Sequence, residues 1–474
     1  FYKRADEKAG AEKAQSELIK YFPKSQFAKN IYLNQADSLL EKADFDEAIR
    51  QYTKVLSDYK GSDQEKEKIL GNLFFVKSHL ENAVIPELRP EHSLKAETVK
   101  AGKEYLKDFR NGSNKDYIVT ILAYRQGANL NDVEEFKGVK GLNSKTRKLL
   151  EEADAVLKVR AGNSSSYPGL MKRFPPSMSY SLPVREAMGQ IAFQQVEPKY
   201  KSYTSSKVSM VPAKLARSLT EKVRNLEALE KNYTSVVGYG DGTSALKSLE
   251  RLSDLYKNLA DELDKVSDPE AKKELEKFSK SFSDKAKSLI DLCLSKASEL
   301  KIRGAGLNSC RSKAKWNKGV QSFVGRSVPD LQWVPKLNHK RPLTEFAEKS
   351  FKQNKIGSFL LAQDLLDRSE DKASSEEKFY MDFLGALFDW REGRGSAAES
   401  TLLDLSSRAE SSNKRTVVKN LSSLYLQVGD YKQAQQILSG VEEDADVKKL
   451  KALAATGLGS SVEAASKDKA KDEE

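Results

Sequence analysis

Leu215, Leu219, Val223, Leu226 and Leu229 recur at three- and four-residue intervals, which places them on one face of an α-helix, since a helix turns once in about 3.6 residues. A second run holds Leu246, Leu249, Leu252, Leu255, Tyr256, Leu259 and Leu263 and ends near Asp268-Pro269. A third holds Leu275, Phe278, Phe282, Ala286, Leu289, Ile290, Cys293 and Leu300. These last two predict helices of roughly 20 to 30 residues, longer than most in globular domains. Earlier in the chain the same spacing predicts shorter helices around residues 70–82, 96–109, 117–124 and 149–159. Between residues 161 and 212 the pattern breaks, and Pro168, Pro175, Pro176, Pro183, Pro198 and Pro212 stand among many serines and tyrosines. Proline lacks the N–H that a helix interior needs. This stretch is therefore expected to hold only short helical pieces such as 184–195, and to serve as a joint, an ordered loop or a binding arm. The fold class expected is all-α.

The C-terminal part carries a repeat. Gly357, Gly393 and Gly429 lie 36 residues apart, and Ala362, Ala398 and Ala434 recur in the same register. Glycine enters left-handed backbone space without the Cβ clash that other residues meet, so each is expected where the first helix of a hairpin ends. Each alanine is expected where the second helix crosses the first, because a larger side chain would push the two apart.

The segment LSSLYLQVGDYKQAQQIL at 421–438 resembles the tetratricopeptide repeat, with Tyr425, Gly429, Tyr431 and Ala434 on the matching positions. The segment YLNQADSLLEKADFDEAIRQYTKVL at 32–56 resembles it as well, through Ala36, Ala43, Phe45, Ala48 and Tyr52, with Ala43 where the family usually has glycine. The resemblance implies helical hairpins stacked as a tetratricopeptide-like solenoid. A 36-residue spacing against the family's period of about 34 implies slightly longer turns. The phrases Tyr21-Phe22-Pro23-Lys24-Ser25 and Asp58-Tyr59-Lys60-Gly61-Ser62 close consecutive helix pairs. With the hairpin between them, they are similar to repeats of bacterial envelope proteins, such as outer-membrane assembly lipoproteins and coordinators associated with the Tol-Pal system. The long helices of the middle block resemble the elongated repeats of gliding-motility and envelope proteins of δ-proteobacteria. Both resemblances imply a periplasmic, outer-membrane-associated setting.

At 474 residues the chain is too long for one core. The expected blocks are helical repeats over 1–138, a Pro/Ser/Tyr-rich insertion over 139–213, a long-helix block with a basic linker over 214–342, C-terminal repeats over 343–460 and a disordered charged tail over 461–474. Phe1 opens the chain inside a stretch that already reads as helix, so a leader or earlier repeats are expected before it. No run approaches the roughly 18 apolar residues of a membrane span, so no transmembrane segment is expected.

The net charge of +11 is concentrated, because residues 301–341 hold ten Lys or Arg and a single acid, Asp330. Elsewhere the signs nearly balance, as on a solvated helical surface. Within the basic stretch, Arg311, Lys313, Lys315 and Lys318 surround Trp316, and Lys340 and Arg341 follow Trp333. Such a patch suits an anionic surface, whether lipid, glycan or acidic protein. Nucleic acid is the disfavoured alternative. The competing reading is that the tryptophans cap helix ends while the lysines stay solvated.

No catalytic constellation emerges. His79, His92 and His339 show no metal spacing, and HExxH, GxxxxGK[ST] and GxSxG are absent. Gly238-Tyr239-Gly240-Asp241-Gly242 contains GxG but reads as a turn between helices. The chain is thus expected to be non-enzymatic, with no cofactor and no metal. Cys293 and Cys310 are too few for a zinc site or a disulfide framework, and either form one bridge or stay reduced. A second binding candidate is the concave face of the C-terminal hairpins, lined by Phe351, Phe379, Phe383 and Tyr425, although these aromatics equally suit the core. The expected function is a scaffold or adaptor for other proteins of a multi-protein envelope complex. The alternatives are a substrate-recruiting arm of a larger envelope enzyme or regulator, and a nucleic-acid-associated repeat protein.

Overall fold

Helices carry nearly all the regular structure of the computed structural model, which describes residues 8–458 apart from 90, 91, 325, 339, 370 and 371. The N-terminal helices are α1 (Lys8–Tyr21), α2 (Gln26–Glu41), α3 (Phe45–Asp58), α4 (Asp63–Leu80), α5 (Ala96–Asp108), α6 (Lys115–Ala123), α7 (Leu130–Lys137) and α8 (Ser144–Arg160). The middle holds α9 (Tyr167–Arg173), α10 (Leu182–Ser205), α11 (Pro212–Val237), α12 (Gly242–Leu263), α13 (Pro269–Glu299), α14 (Ala305–Lys313) and α15 (Lys318–Phe323). The C-terminal helices are α16 (Pro342–Lys352), α17 (Ile356–Arg368), α18 (Ser375–Arg391), α19 (Gly395–Arg408), α20 (Ser411–Val428), α21 (Tyr431–Leu438) and α22 (Ala445–Leu458). The class is all-α, as the periodicity predicts, with successive helices packed on one another. The tail at 461–474, residues 1–7 and His339 lie outside the described residues.

One turn design recurs in four hairpins. The residue two before the second helix is left-handed: Ala43 (φ 57°), Asn354 (φ 55°), Gly393 (φ 82°) and Gly429 (φ 90°). In two of them an aspartate follows and caps the helix, Asp44 accepting from the Glu47 N–H and Asp430 from the Gln433 N–H. Three residues into the second helix stand Ala48, Phe359, Ala398 and Ala434, all buried. The 36-residue register therefore holds for Gly393 and Gly429 but not for Gly357. The first of these turns is made by Asn354, and Gly357 sits inside the opening turn of α17.

The chain forms two compact units that do not follow the expected blocks. One comprises residues up to 157 together with 337–384; the other comprises 158–336 together with residues from 385 onward. The boundary at 343 fails because α16 and α17 pack in the first unit, where α17 lies against α2 and α4. The Phe346 ring meets Phe45 at 4.7 Å between centroids, and the Gly357 N–H donates to Asn82 Oδ1 at 2.8 Å. A Cβ on Gly357 would stand 2.7 Å from the His79 carbonyl oxygen and 2.8 Å from Asn82 Cα. Both neighbours are backbone and cannot swing aside. Gly357→Val is accordingly expected to destabilise the first unit by about 2 kcal/mol, measured by urea unfolding against the wild type. A neutral result would mean that α17 is free to move away from α4. The repeats of this unit are also tied 36 residues apart, by Lys29 to Glu65 at 2.8 Å and by the Tyr59 hydroxyl to the Pro23 carbonyl at 2.5 Å.

In the second unit α10 overturns the expectation of short pieces around the prolines. It runs for 24 residues straight through Pro198. The lost backbone hydrogen bond is offset by packing, since Val184, Ala187, Met188, Ile191, Ala192, Val196 and Tyr203 are buried and α10 packs on α11 and α12. Beside the proline, Glu197 accepts from both Arg251 Nε and Nη2 at 3.1 Å and from the Tyr233 hydroxyl at 2.8 Å. The residues around it are core rather than a binding arm. The long helices appear as the periodicity predicts, α13 reaching 31 residues with Asp268 capping it ahead of Pro269. Gly238 to Gly242 forms the turn between α11 and α12, where Asp241 caps α12.

Candidate peptide-binding surface

The aromatics expected to line a C-terminal groove are buried. Phe351, Phe379 and Phe383 belong to the first unit and Tyr425 to the second, and all four are core residues. Their rings are large enough to satisfy either role in sequence; in the fold they fill helix packing. Tyr425 lies beneath the Lys301 ammonium, 5.1 Å from its ring centroid.

The basic stretch is likewise drawn inward. Lys301 pairs with Glu399 at 3.2 Å. Lys313 bridges Glu250 at 2.9 Å and Asp254 at 2.7 Å. Arg311 is buried and meets no carboxylate among the described residues: its Nη2 donates to the Gln427 carbonyl at 2.8 Å and the Leu426 carbonyl at 3.4 Å, capping the C-terminus of α20, where the helix dipole favours a cation. In the first unit Lys340 pairs with Glu348, and Arg341 with Glu377 at 2.9 Å. Lys301, Lys313, Lys340 and Arg341 therefore neutralise acids that lie outside the basic stretch. Lys315, Trp316 and Lys318 remain exposed, the Trp316 indole N–H donating to Asp291 at 3.2 Å.

Cys293 on α13 and Cys310 on α14 are joined in a disulfide, with 6.4 Å between their Cα atoms. Of the two alternatives the sequence leaves open, the structure has the bridge. The turn at Gly304, where φ is 106°, brings α14 back against α13.

The feature that sequence reasoning missed is an irregular, non-helical segment at 326–336, bent at Leu331, lying on α20. Asn420, Ser423 and Gln427 recur at three and four residues and so share one face of that helix. Asn420 Nδ2 donates to the Trp333 carbonyl at 2.7 Å, and Ser423 Oγ and Gln427 Nε2 donate to the Pro329 carbonyl, the latter at 3.2 Å. Asp330 Oδ1 accepts from Arg303 at 3.2 Å, the Trp390 indole at 3.1 Å, Gln427 at 3.3 Å and the Leu331 N–H at 2.9 Å. Partial burial alone would raise the Asp330 carboxyl; the Leu331 N–H, Gln427, Arg303 and Trp390 outweigh it and hold the group below the usual carboxylate range. The Trp333 indole donates to Asp446 at 2.8 Å and its ring lies 5.8 Å from the Lys419 ammonium. Leu331 and Pro335 are buried while Gln332 and Lys336 face solvent. The available signal was the lone acid among ten bases, Asp330, set between a proline and a tryptophan.

No described helix is long and apolar enough to cross a membrane. No family model matches the chain, and no curated protein matches it. A solved structure described as a circular tandem repeat protein with novel repeat topology and enhanced subunit contact surfaces aligns over 94% of this chain and 100% of its own, at 13% identity and a TM-score of 0.18, a likeness too slight to carry an argument.

Proposed function

We propose that the chain is a non-enzymatic scaffold or adaptor that binds segments of other proteins within a larger envelope assembly. The observation that carries this reading is the grip of α20 on residues 326–336, in which side chains of one helix face hold the carbonyls of a non-helical backbone. Bonds to a backbone serve many sequences, and neighbouring side-chain contacts add selectivity. The recurring turn with its left-handed residue and aspartate cap supports the tetratricopeptide identity. The disulfide supports an oxidising compartment such as the periplasm. The outer-membrane association and the motility-associated type rest on the sequence resemblance alone.

Deleting 343–460 is a poor test, because α16 and α17 are part of the first unit's core. The cleaner comparison is cross-linked capture from fractionated envelope by the intact chain and by a chain carrying Asn420→Ala and Gln427→Ala. The expected result is a set of proteins retained by the first and lost by the second. Equal recovery by both would remove the α20 face from the reading.

A further inference from the structure

The face of α20 is built in a way that a permanently closed core does not require. On it Asn420 and Ser423 are fully buried. Burying amides and hydroxyls is unfavourable unless each finds a partner, and apolar residues of similar size would pack there without that demand. The strap at 326–336 supplies partners through two of its carbonyls and one carboxylate. It does not supply all of them. Asn420 Oδ1 is buried with no hydrogen-bond partner among the described residues, although its amide nitrogen is engaged twice, by Trp333 and by the Thr416 carbonyl at 2.9 Å. An amide presents a donor and an acceptor side by side, a pair suited to the C=O and N–H of an extended chain. The strap satisfies only the donor side.

The contacts also define what is read. A carbonyl is held at Pro329, a carboxylate at the next residue by Arg303, Trp390 and Gln427, an apolar side chain at Leu331 is buried, and an indole three residues beyond the carboxylate is held by Asp446 and Lys419. Gln332 points to solvent and is not read.

We infer that α20 presents a peptide-reading surface occupied in cis by the strap, and that its partner is a non-helical protein segment with proline, an acidic residue, an apolar residue, any residue and tryptophan in succession. The partner displaces the strap and, in doing so, pairs the free acceptor of Asn420. This inference rests on the scaffold reading and gives that reading a ligand and a gate. Because the cis segment is always present at high effective concentration, a free peptide competes poorly with it in the intact chain.

The test uses a fluorescent peptide of residues 326–336 and three full-length chains: the wild type, a strap-weakened chain carrying Asp330→Ala and Trp333→Ala, and that chain with Asn420→Ala and Gln427→Ala added. The strap-weakened chain is expected to bind the peptide at least about tenfold more tightly than the wild type, and the added substitutions to weaken binding by about tenfold or more, as loss of one or two good hydrogen bonds implies. A peptide with Asp330 and Trp333 exchanged is expected not to compete. Absence of binding to a strap-weakened chain that retains wild-type circular dichroism and unfolding overturns the inference, as does binding that ignores Asn420 and Gln427. If the strap-weakened chain does not fold, hydrogen exchange on the wild type decides. Strap amides that exchange while those of α20 stay protected support a displaceable strap, and amides that open only together with α20 overturn it. Envelope proteins captured through another surface, with no peptide binding here, would leave the scaffold reading standing and remove this one.

Discussion

Lowering the pH from 7 to 5 is expected to destabilise the first unit by about 4 kcal/mol, through two buried histidines that contribute about 2 kcal/mol each. Burial pushes His79 down to about 4, the Phe75 carbonyl opposing it only in part. Burial likewise pushes His92 down to about 4, against the Ile121 carbonyl and with Arg89, Arg125 and His79 nearby. The carbonyl of Phe75 lies 2.9 Å from His79 Nδ1 and that of Ile121 2.9 Å from His92 Nε2. A carbonyl can only accept, so each ring carries its proton there, and His92 Nδ1 is buried with no hydrogen-bond partner among the described residues. Protonating that nitrogen would place a charge in a buried site where no described residue accepts from it. Between the unfolded value near 6.5 and the folded value near 4, the unfolded chain binds the extra protons, so stability rises with pH and is lost as pH falls through this window. All three tryptophans, Trp316, Trp333 and Trp390, belong to the second unit. Their fluorescence follows that unit, whereas far-UV circular dichroism follows both. Urea titrations at pH 7 and 5 are expected to show the circular-dichroism transition move to lower urea ahead of the tryptophan transition. His79→Gln with His92→Gln should remove most of the difference. An unchanged pH dependence in the double variant would show that these rings are not the groups responsible.

The elements were legible because their signals are local. A leucine stripe at helical spacing identifies α11, α12 and α13 without reference to any other part of the chain, and Asp268-Pro269 marks where α13 begins. The repeat register was half legible. Gly393 and Gly429 turn the chain as a glycine should, but Gly357 matched the spacing by coincidence, and the true turn residue, Asn354, carries no sharp signal because asparagine also occurs throughout helices and loops. Pro198 misled for a related reason. Its local penalty is real, yet α10 is held by packing on α11 and α12, and no local rule sees that.

The site was less legible, because it depends on pairings across long separations. Nine of the eleven net charges fall in 301–341, and sequence places them together as a patch. The acids that engage four of these bases, Glu250, Asp254, Glu348, Glu377 and Glu399, are scattered over some of the most ordinary helical stretches of the chain. The strap was invisible for the same reason. Its partners, Asn420, Ser423 and Gln427, lie about 90 residues away on a helix whose polar face looks solvent-exposed in the sequence, but which the strap covers.

Phe383→Ala separates the groove expected from sequence from the core seen in the structure. A side chain lining an open groove would be lost at little expense to stability, within about 0.5 kcal/mol as for most exposed positions, and would reduce only partner binding. Phe383 is instead wholly buried. Removing its ring forfeits the transfer of the apolar surface from water and leaves a cavity that neighbouring helices close only in part, for a combined loss of about 4 kcal/mol. The matched control is Phe278→Ala on α13, since that ring is 59% exposed and its loss should leave stability nearly unchanged. Urea unfolding of both variants by far-UV circular dichroism makes the comparison. A small change at Phe383 would return that residue to a surface role and reopen the concave face as a binding site. A loss near the expected size, with capture of partners unaffected in the fraction that remains folded, places recognition elsewhere. The face of α20 is then the surface whose polar side chains are arranged to receive a backbone.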